Sequence, residues 1–327
     1  MGLWGRAQLY DKIPYYLGLV ICASSMLEER RRMETVRFGA IRLIQGLNGG
    51  KYPQCHSIYI EGAKILIDPS SDRAKLQELK EKEGVNAVWL SHWHEDHMMH
   101  LDLFDDVPLY ICELDSLPLG DLERFLDWYQ MEEPHYRGEW KELLVRVFHI
   151  RPRAPQGFLV PGDLLDLKTT TVQIIHAPGH TPGHLAFKFL DEDVLFVGDY
   201  DLTPFGPWYG DRFSSIEQTI CSVRMLREIP AKAWIASHER GLFLENPGEL
   251  WEKYLGVIED RERRLLELLE RPRTMKEIVD ACIVYGRPKK PEAFYAFGEK
   301  AIMRKHLQRL IARGIVIEED GRYRLAS

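Results

Sequence analysis

Apolar residues run along this chain in short blocks cut by glycine, proline and asparagine, the rhythm of a layered protein with buried strands. Blocks at 36–43, 57–60 and 64–67, with turns at Asn48-Gly49-Gly50 and Glu61-Gly62, predict an opening β-meander. Leu76 and Leu79 share one face of a helix predicted over 73–83, and the apolar run at 85–90 reads as a strand buried on both faces. Further strands are predicted at 109–112, 146–150, 172–175, 194–197 and 233–236, with helices within 101–140 and a proline-rich loop or lid at 152–161. Ser214 and Glu217 form a capping box for a helix running to 229, whose Ile216, Ile220, Val223 and Ile229 mark its buried face. Strand, helix, strand in this order predicts an α/β fold in layers.

The pattern changes after residue 248. A long charged helix is predicted over 249–271, with Leu250, Tyr254, Leu255, Ile258, Leu265 and Leu269 near helical spacing. Two helices at 274–282 and 301–313 and a two-stranded wing at 314–317 and 323–325 follow. Residues 1–32 differ from both parts, with an apolar run at 13–23 ahead of Glu28-Glu29-Arg30-Arg31-Arg32. That run is too short for a membrane span but has the length of a signal-peptide core. The small residue expected before Cys22 of a lipoprotein box is Ile21, so a signal, an anchor and a leader ahead of a true start at Met26 or Met33 all stay open. The expected organisation is an extension at 1–32, a main domain at 33–248 and a linker helix with a small α+β domain at 249–327.

A chain of 327 residues with 45% apolar content suits one large core plus an appendage. The five cysteines (Cys22, Cys55, Cys112, Cys221 and Cys282) include no Cys-x-x-Cys pair, which disfavours a disulfide framework or a thiolate zinc finger and favours a reducing, cytoplasmic setting. The net charge of −7 excludes a general polyanion binder. The charge is uneven, however: residues 272–327 carry 12 Lys and Arg against 7 Asp and Glu, a net of +5 on a body of −12.

The chemistry concentrates at strand ends. His92-Trp93-His94-Glu95-Asp96-His97 follows the 85–90 strand, and a loop rather than a helix is needed to aim four metal-capable side chains at one point. A second loop, His176-Ala177-Pro178-Gly179-His180-Thr181-Pro182-Gly183-His184, is held rigid by its prolines and glycines. Asp199 follows the 194–197 strand and His238 the 233–236 strand. Asp68, at the end of 64–67, is either a turn former or an acceptor behind a ligand histidine. The same chemistry at four strand ends points to one metal site.

Together, His-x-His-x-Asp-His at 92–97, Pro-Gly-His-Thr at 178–181, Gly-Asp at 198–199 and His238 resemble the metallo-β-lactamase superfamily over residues 34–244. The resemblance implies an αββα sandwich with two divalent ions at one edge, zinc first among them and iron or manganese acceptable. His92, His94 and His180 would hold one ion, Asp96, His97 and His238 the other, and Asp199 would bridge them. Two such ions share a water and lower its pKa, so that hydroxide becomes the nucleophile, oriented by Asp96. His184 and Asp68 would stand behind the ligands or touch substrate, and Trp93 and Glu95 would be spacers. Asp199 sets the chain apart from true β-lactamases, and His94 replaces the glutamate of the diiron flavoprotein relatives. The tail resembles the winged helix of the lactamase-beta-2 RNA endonucleases more than the helical C-terminus of glyoxalase II.

Three functions follow. The first is a hydrolase of an ester or thioester, with 152–161 and 204–212 shaping the pocket. The second is a metal-dependent phosphodiesterase or endoribonuclease on single-stranded nucleic acid, guided by Arg304, Lys305, Arg309 and Arg313; the plain alternative for those cations is a solvated face on a domain that walls the cleft or forms a homodimer. The third is a binding protein without catalysis.

Overall fold

The computed structural model describes residues 36–326, so the expectations for 1–32 lie outside the described residues. Seven strands make the first sheet in sequence order: β1 (Val36–Phe38), β2 (Ile41–Ile44), β3 (Ser57–Ile60), β4 (Ile65–Ile67), β5 (Ala87–Trp89), β6 (Leu109–Ile111) and β7 (Gly157–Phe158). The first four pair antiparallel and the last four parallel. The second sheet runs β13-β12-β11-β10-β9-β8, built from β8 (Leu164–Asp166), β9 (Thr171–His176), β10 (Leu185–Phe189), β11 (Val194–Phe196), β12 (Ala233–Ile235) and β13 (Leu242–Phe243).

The two sheets stack face to face. Ile41, Ile58, Ile67 and Trp89 of the first meet Val172, Leu185, Phe187 and Phe196 of the second in one core. The outer face of the first sheet is covered by helices α1 (Arg73–Lys82), α2 (Leu122–Trp128) and α3 (Pro134–Arg146), through Leu76, Phe125 and Leu144. The outer face of the second is covered by α4 (Ile216–Glu228) and α5 (Glu249–Leu268), through Val223, Leu226, Trp251 and Ile258. This is the expected αββα sandwich. Both faces of the central strands are buried, which is why they read as continuous apolar runs instead of alternating ones.

The tail does not form a core of its own. Its β14 (Arg273–Thr274), α6 (Met275–Asp280), α7 (Glu292–Ala312), β15 (Val316–Glu319) and β16 (Arg322–Leu325) enclose Ile278, Ile302, Leu307, Leu310 and Val316, and these belong to the same cluster as Leu195 and Trp234 of the second sheet. The small sheet has three strands, in the order β14-β16-β15, where two were expected. No helix among the described residues is long and apolar enough to cross a membrane.

Four local expectations are corrected. The run 36–43 is a hairpin, because Gly39 takes a φ of 52° and turns the chain so that Val36 pairs with Leu43. Residues 146–150 are the end of α3 and a turn, since Leu144 and Phe148 continue a helical spacing into the core beside the helix. Ser215, not Ser214, caps α4, its hydroxyl accepting from the Gln218 amide. Helix α7 begins at Glu292 rather than 301.

Candidate metal centre

Four loops leave the two sheets at one end of the sandwich and carry the predicted residues with them. After β5 come Ser91 and His92, His94 on an extended backbone, and a single 3-10 turn over Glu95–His97. After β9 comes the loop of His180, after β11 Asp199, and after β12 His238. The β11 loop needs Gly198: its φ is 61°, and a Cβ there would lie 2.4 Å from His184 Nε2. That nitrogen accepts the Asp199 amide N–H at 3.1 Å, so His184 shapes the loop behind the site. His176 does the same for its own loop through the Pro182 carbonyl.

The seven predicted ligands converge. His92 Nε2, His94 Nδ1 and His180 Nε2 stand 3.0 to 3.1 Å apart. His238 Nε2 lies 3.4 Å from Asp96 Oδ2, and His97 Nε2 lies 3.9 Å from Asp96 Oδ1. Asp199 sits between the two sets, with Oδ2 3.3 Å from His180 Nε2 and Oδ1 2.8 Å from His97 Nε2 and 3.4 Å from His238 Nε2. His92, His94, His180 and Asp199 form one group able to hold a metal ion, and Asp96, His97 and His238 a second, with ligand atoms in each within 4.8 Å of one another.

The donor set fits divalent metal. Every imidazole turns its outer nitrogen to an oxygen: His92 to Ser91 Oγ at 3.0 Å, His94 to Asp211 at 2.6 Å, His97 to Asp68 at 2.9 Å, His180 to the Trp208 carbonyl at 3.0 Å and His238 to the Gly50 and Gln54 carbonyls at 2.9 and 3.1 Å. The carbonyls and carboxylates can only accept, and the Ser91 hydroxyl is already donating to Asp68 Oδ2 at 2.7 Å, so the outer nitrogens carry the protons. The inner nitrogens of the neutral rings are therefore bare lone pairs aimed at one another and at carboxylate oxygens. His97 Nε2 and Asp199 Oδ1, both buried and 2.8 Å apart, make no well-formed hydrogen bond. Such an arrangement is repulsive unless positive charge stands inside it.

The electrostatics agree. Burial opposes charge on His97, but Asp199, Cys55 and Asp68 outweigh it and hold the ring well above its usual range. His238 is raised to about 10 against the effect of burial, through Asp199 and Asp96. Burial would raise Asp199, yet His97, His238, His92 and His180 hold it well below the usual carboxylate range. The pocket draws in cations, so protons and metal compete for it.

Asp68 behaves as an acceptor behind the ligands. It takes the Ser91 amide and hydroxyl together with the His97 ring, which fixes the start of the 92–97 loop. The two residues read as spacers are not spacers. Trp93 is wholly buried against Phe125, Trp128 and Tyr129. Glu95 is buried with both oxygens engaged by the Tyr52 and Tyr129 hydroxyls, and burial, then Asp96, raises it to about 6. Asp211 belongs to no motif: it lies in a Gly-Asp-Arg turn at the end of the 204–212 segment expected to shape the pocket, and only folding brings it to His94.

Five of the predicted ligands, His94, Asp96, His180, Asp199 and His238, form the floor of a cavity of about 570 Å³. Tyr52, Trp140 and Phe148 wall it on one side, and Phe205 and Trp208 on the other. No residue of 152–161 lines it, contrary to expectation, because β7 joins that segment to the sheet edge and Arg153 is tied back to the Phe104 and Val107 carbonyls. The roof comes instead from Tyr285 to Gly298 of the tail.

Comparisons with known proteins accord with this geometry. The family model described as metallo-beta-lactamase superfamily matches residues 50–238. The lactamase-like protein nscB of Trichophyton rubrum is 27% identical over 76% of this chain and 68% of its own length. The atrochrysone carboxyl ACP thioesterase of Aspergillus fumigatus is 23% identical over 73% of this chain and 67% of its own. A metallo-beta-lactamase family protein of Thermus thermophilus, 20% identical, superimposes with a TM-score of 0.65 over 88% of this chain and 98% of that one. Spanning the 92–97 loop, His180, Asp199 and His238, the family match covers more than half of the sequence, and the chain belongs to the metallo-beta-lactamase superfamily.

Proposed function

We propose that this chain is a binuclear metal-dependent hydrolase of a thioester or ester, with His92, His94 and His180 holding one divalent ion, Asp96, His97 and His238 the other, and Asp199 reaching both. The observation that carries this reading is the set of five imidazole lone pairs and two carboxylates pointed inward beneath an open cavity. Zinc suits the nitrogen and oxygen donors, as do iron and manganese. Divalent ions held by these residues would lower the pKa of a bound water and polarise the carbonyl to be attacked.

The chain's own residues do the rest. Asp96 and Asp199 accept hydrogen bonds from the attacking water and set its bearing toward the acyl carbon. Asp68 and Asp211 keep the His97 and His94 rings turned so that their inner nitrogens face the ions. The aromatic walls exclude bulk water from around the reacting carbonyl, where each charge interaction gains strength. Water adds to the acyl carbon, the bond to sulfur or oxygen breaks, and the leaving group takes a proton. The relative named as a carboxyl ACP thioesterase supports the thioester as the bond cleaved.

The phosphodiester reading loses its main support. Arg304 reaches Gln130 and Glu132, Lys305 donates to the Arg212 and Ser214 carbonyls, and Arg309 and Arg313 pair with Glu217, so these cations face the sandwich. The tail's order of helix, short strand, two helices and hairpin supports a winged-helix-like reading of 249–327, here serving as a roof over the hydrolase body at 33–248.

His94→Ala and Asp199→Asn variants of the metal-loaded protein test the proposal on an N-acetylcysteamine thioester. Loss of turnover by at least about a thousandfold with native circular dichroism is the expected result. Undiminished turnover after removal of metal overturns it.

A further inference from the structure

Resting on the hydrolase reading, we infer that the cavity over the metal centre is a pocket for a bulky, ring-bearing apolar acyl group, and that Phe294 and Phe297 of the tail select it. The floor of the cavity is made by His94, Asp96, His180, Asp199 and His238, so a group filling the space above lies next to the bond under attack. A volume of about 570 Å³ exceeds anything an acetyl group needs and falls within the ~300–1,000 Å³ that accommodate drug-sized ligands.

The walls define the chemistry. Phe294 stands 5.9 Å from Tyr52 and 5.8 Å from Trp140, and Phe297 6.2 Å from Tyr129 and 6.4 Å from Trp140, so the tail closes a ring of aromatic faces begun by the sandwich. The Tyr52 and Tyr129 hydroxyls are already spent on Glu95, which leaves their rings as the surfaces offered to a ligand. Offset and edge-on ring contacts of this kind favour planar apolar groups over sugars or short acyl chains. Lys289 is the cation contributed by the tail, and its Nζ rests over Tyr285 at 5.5 Å and Tyr295 at 5.4 Å, close to the outer wall and not on the floor.

The roof is built for this position. Gly298 sits inside α7, where a Cβ would lie 2.2 Å from the Tyr285 hydroxyl, so the glycine lets Tyr285 close against the helix. Tyr285 in turn meets Phe205 at 5.7 Å and Tyr295 at 4.9 Å, joining the tail to the wall opposite Trp140. The tail thus determines which acyl group enters, while the sandwich determines what happens to it.

Two readouts on the metal-loaded full chain separate this inference from the hydrolase reading. The first is calorimetric binding of 2-naphthoate against acetate, which share a carboxylate and differ in the ring system. We expect naphthoate to bind at least about a hundredfold tighter, and Phe294→Ala and the cavity-filling Phe294→Trp each to reduce that preference about tenfold with an unchanged Tm. Equal binding of the two acids, or a preference unmoved in a variant of native Tm, overturns the pocket. The second is kcat/KM for N-acetylcysteamine thioesters bearing acetyl, benzoyl and 2-naphthoyl groups, which should rise in that order. If none of them is hydrolysed, the hydrolase reading falls, while the naphthoate result still decides the pocket.

Discussion

His94 donates its Nε2–H to Asp211 Oδ2 at 2.6 Å while its Nδ1 faces the inner nitrogens of His92 and His180. Asp211 is itself steadied by the Trp208 indole N–H at 3.1 Å, and the His94 ring stacks on Tyr129 at 5.5 Å. Burial alone would strip His94 of charge, yet Asp211 first, then Glu95 and Asp96, raise it to about 9. The carboxylate therefore sets both the ring's bearing and its basicity. Asp211→Ala should weaken metal binding about 10–100-fold, read by competition with a chromophoric chelator, and Asp211→Asn should recover part of the loss. Equal affinity in Asp211→Ala would show that Tyr129 stacking alone orients the ring.

Removing metal should cost stability as well as turnover. Without a cation, His97 Nε2 and Asp199 Oδ1 stay buried 2.8 Å apart with no well-formed hydrogen bond, and the three inner nitrogens of the other group face one another. A ligand present at a thousand times its dissociation constant stabilises the fold by about 4 kcal/mol. Chelation should thus lower the Tm by several degrees, and zinc, manganese or iron should restore it. A chelated sample with unaltered Tm and unaltered thioester turnover would contradict the metal assignment.

The predicted ligands are legible because each of their loops follows an apolar run, and because Pro178, Gly179 and Gly198 mark the loops of His180 and Asp199. Sandwich layers are legible for the same reason: strands buried on both faces leave unbroken apolar runs such as Ile65-Leu66-Ile67. What stays hidden depends on partners far away in the chain. Asp211 looks like any turn aspartate until folding brings His94 to it, 117 residues away. Gly298 lies inside α7, ahead of the helix expected at 301–313, and nothing near it in the chain announces the Tyr285 hydroxyl that a side chain there would strike. Glu95 between two ligands looks like a spacer, since nothing nearby announces the Tyr52 and Tyr129 hydroxyls. The cations of α7 suggest a nucleic-acid face because their acidic partners lie on other elements.

Those cations should behave as structural groups. Arg309 donates Nε–H to Glu217 at 2.7 Å and reaches Glu262 at 2.7 Å, and Glu262 also receives the His306 ring at 3.3 Å. Removing the guanidinium leaves the half-buried Glu262 carboxylate with two weaker partners, His306 at 3.3 Å and Arg313 at 4.0 Å. Arg309→Ala should cost roughly 1–3 kcal/mol in urea unfolding. Fluorescence anisotropy with single-stranded RNA at low ionic strength should show no salt-steep affinity in either protein. An affinity that falls steeply with salt and disappears in Arg309→Ala would restore the nucleic-acid reading.

His100 supplies a pH dependence away from the metal ligands. Its ring is buried with Nδ1 unpartnered, and burial, then Arg73 and His149, lower its pKa to about 4, while Asp102 and Asp72 pull weakly the other way. In the unfolded chain the same ring titrates near its ordinary value of 6.5. Below that value the unfolded chain takes up a proton that the fold refuses, so the contribution is intact at pH 7 and is lost as the pH falls from about 6.5 towards about 4. Between pH 7 and pH 5 the loss should be on the order of 2 kcal/mol. A neutral side chain of similar bulk removes the penalty, so His100→Met should lose less stability than the wild type over that interval, compared by urea unfolding of metal-free samples. Parallel pH profiles for the two proteins would mean that His100 accepts its proton without leaving the fold, through a water or a shift of Arg73 away from the ring.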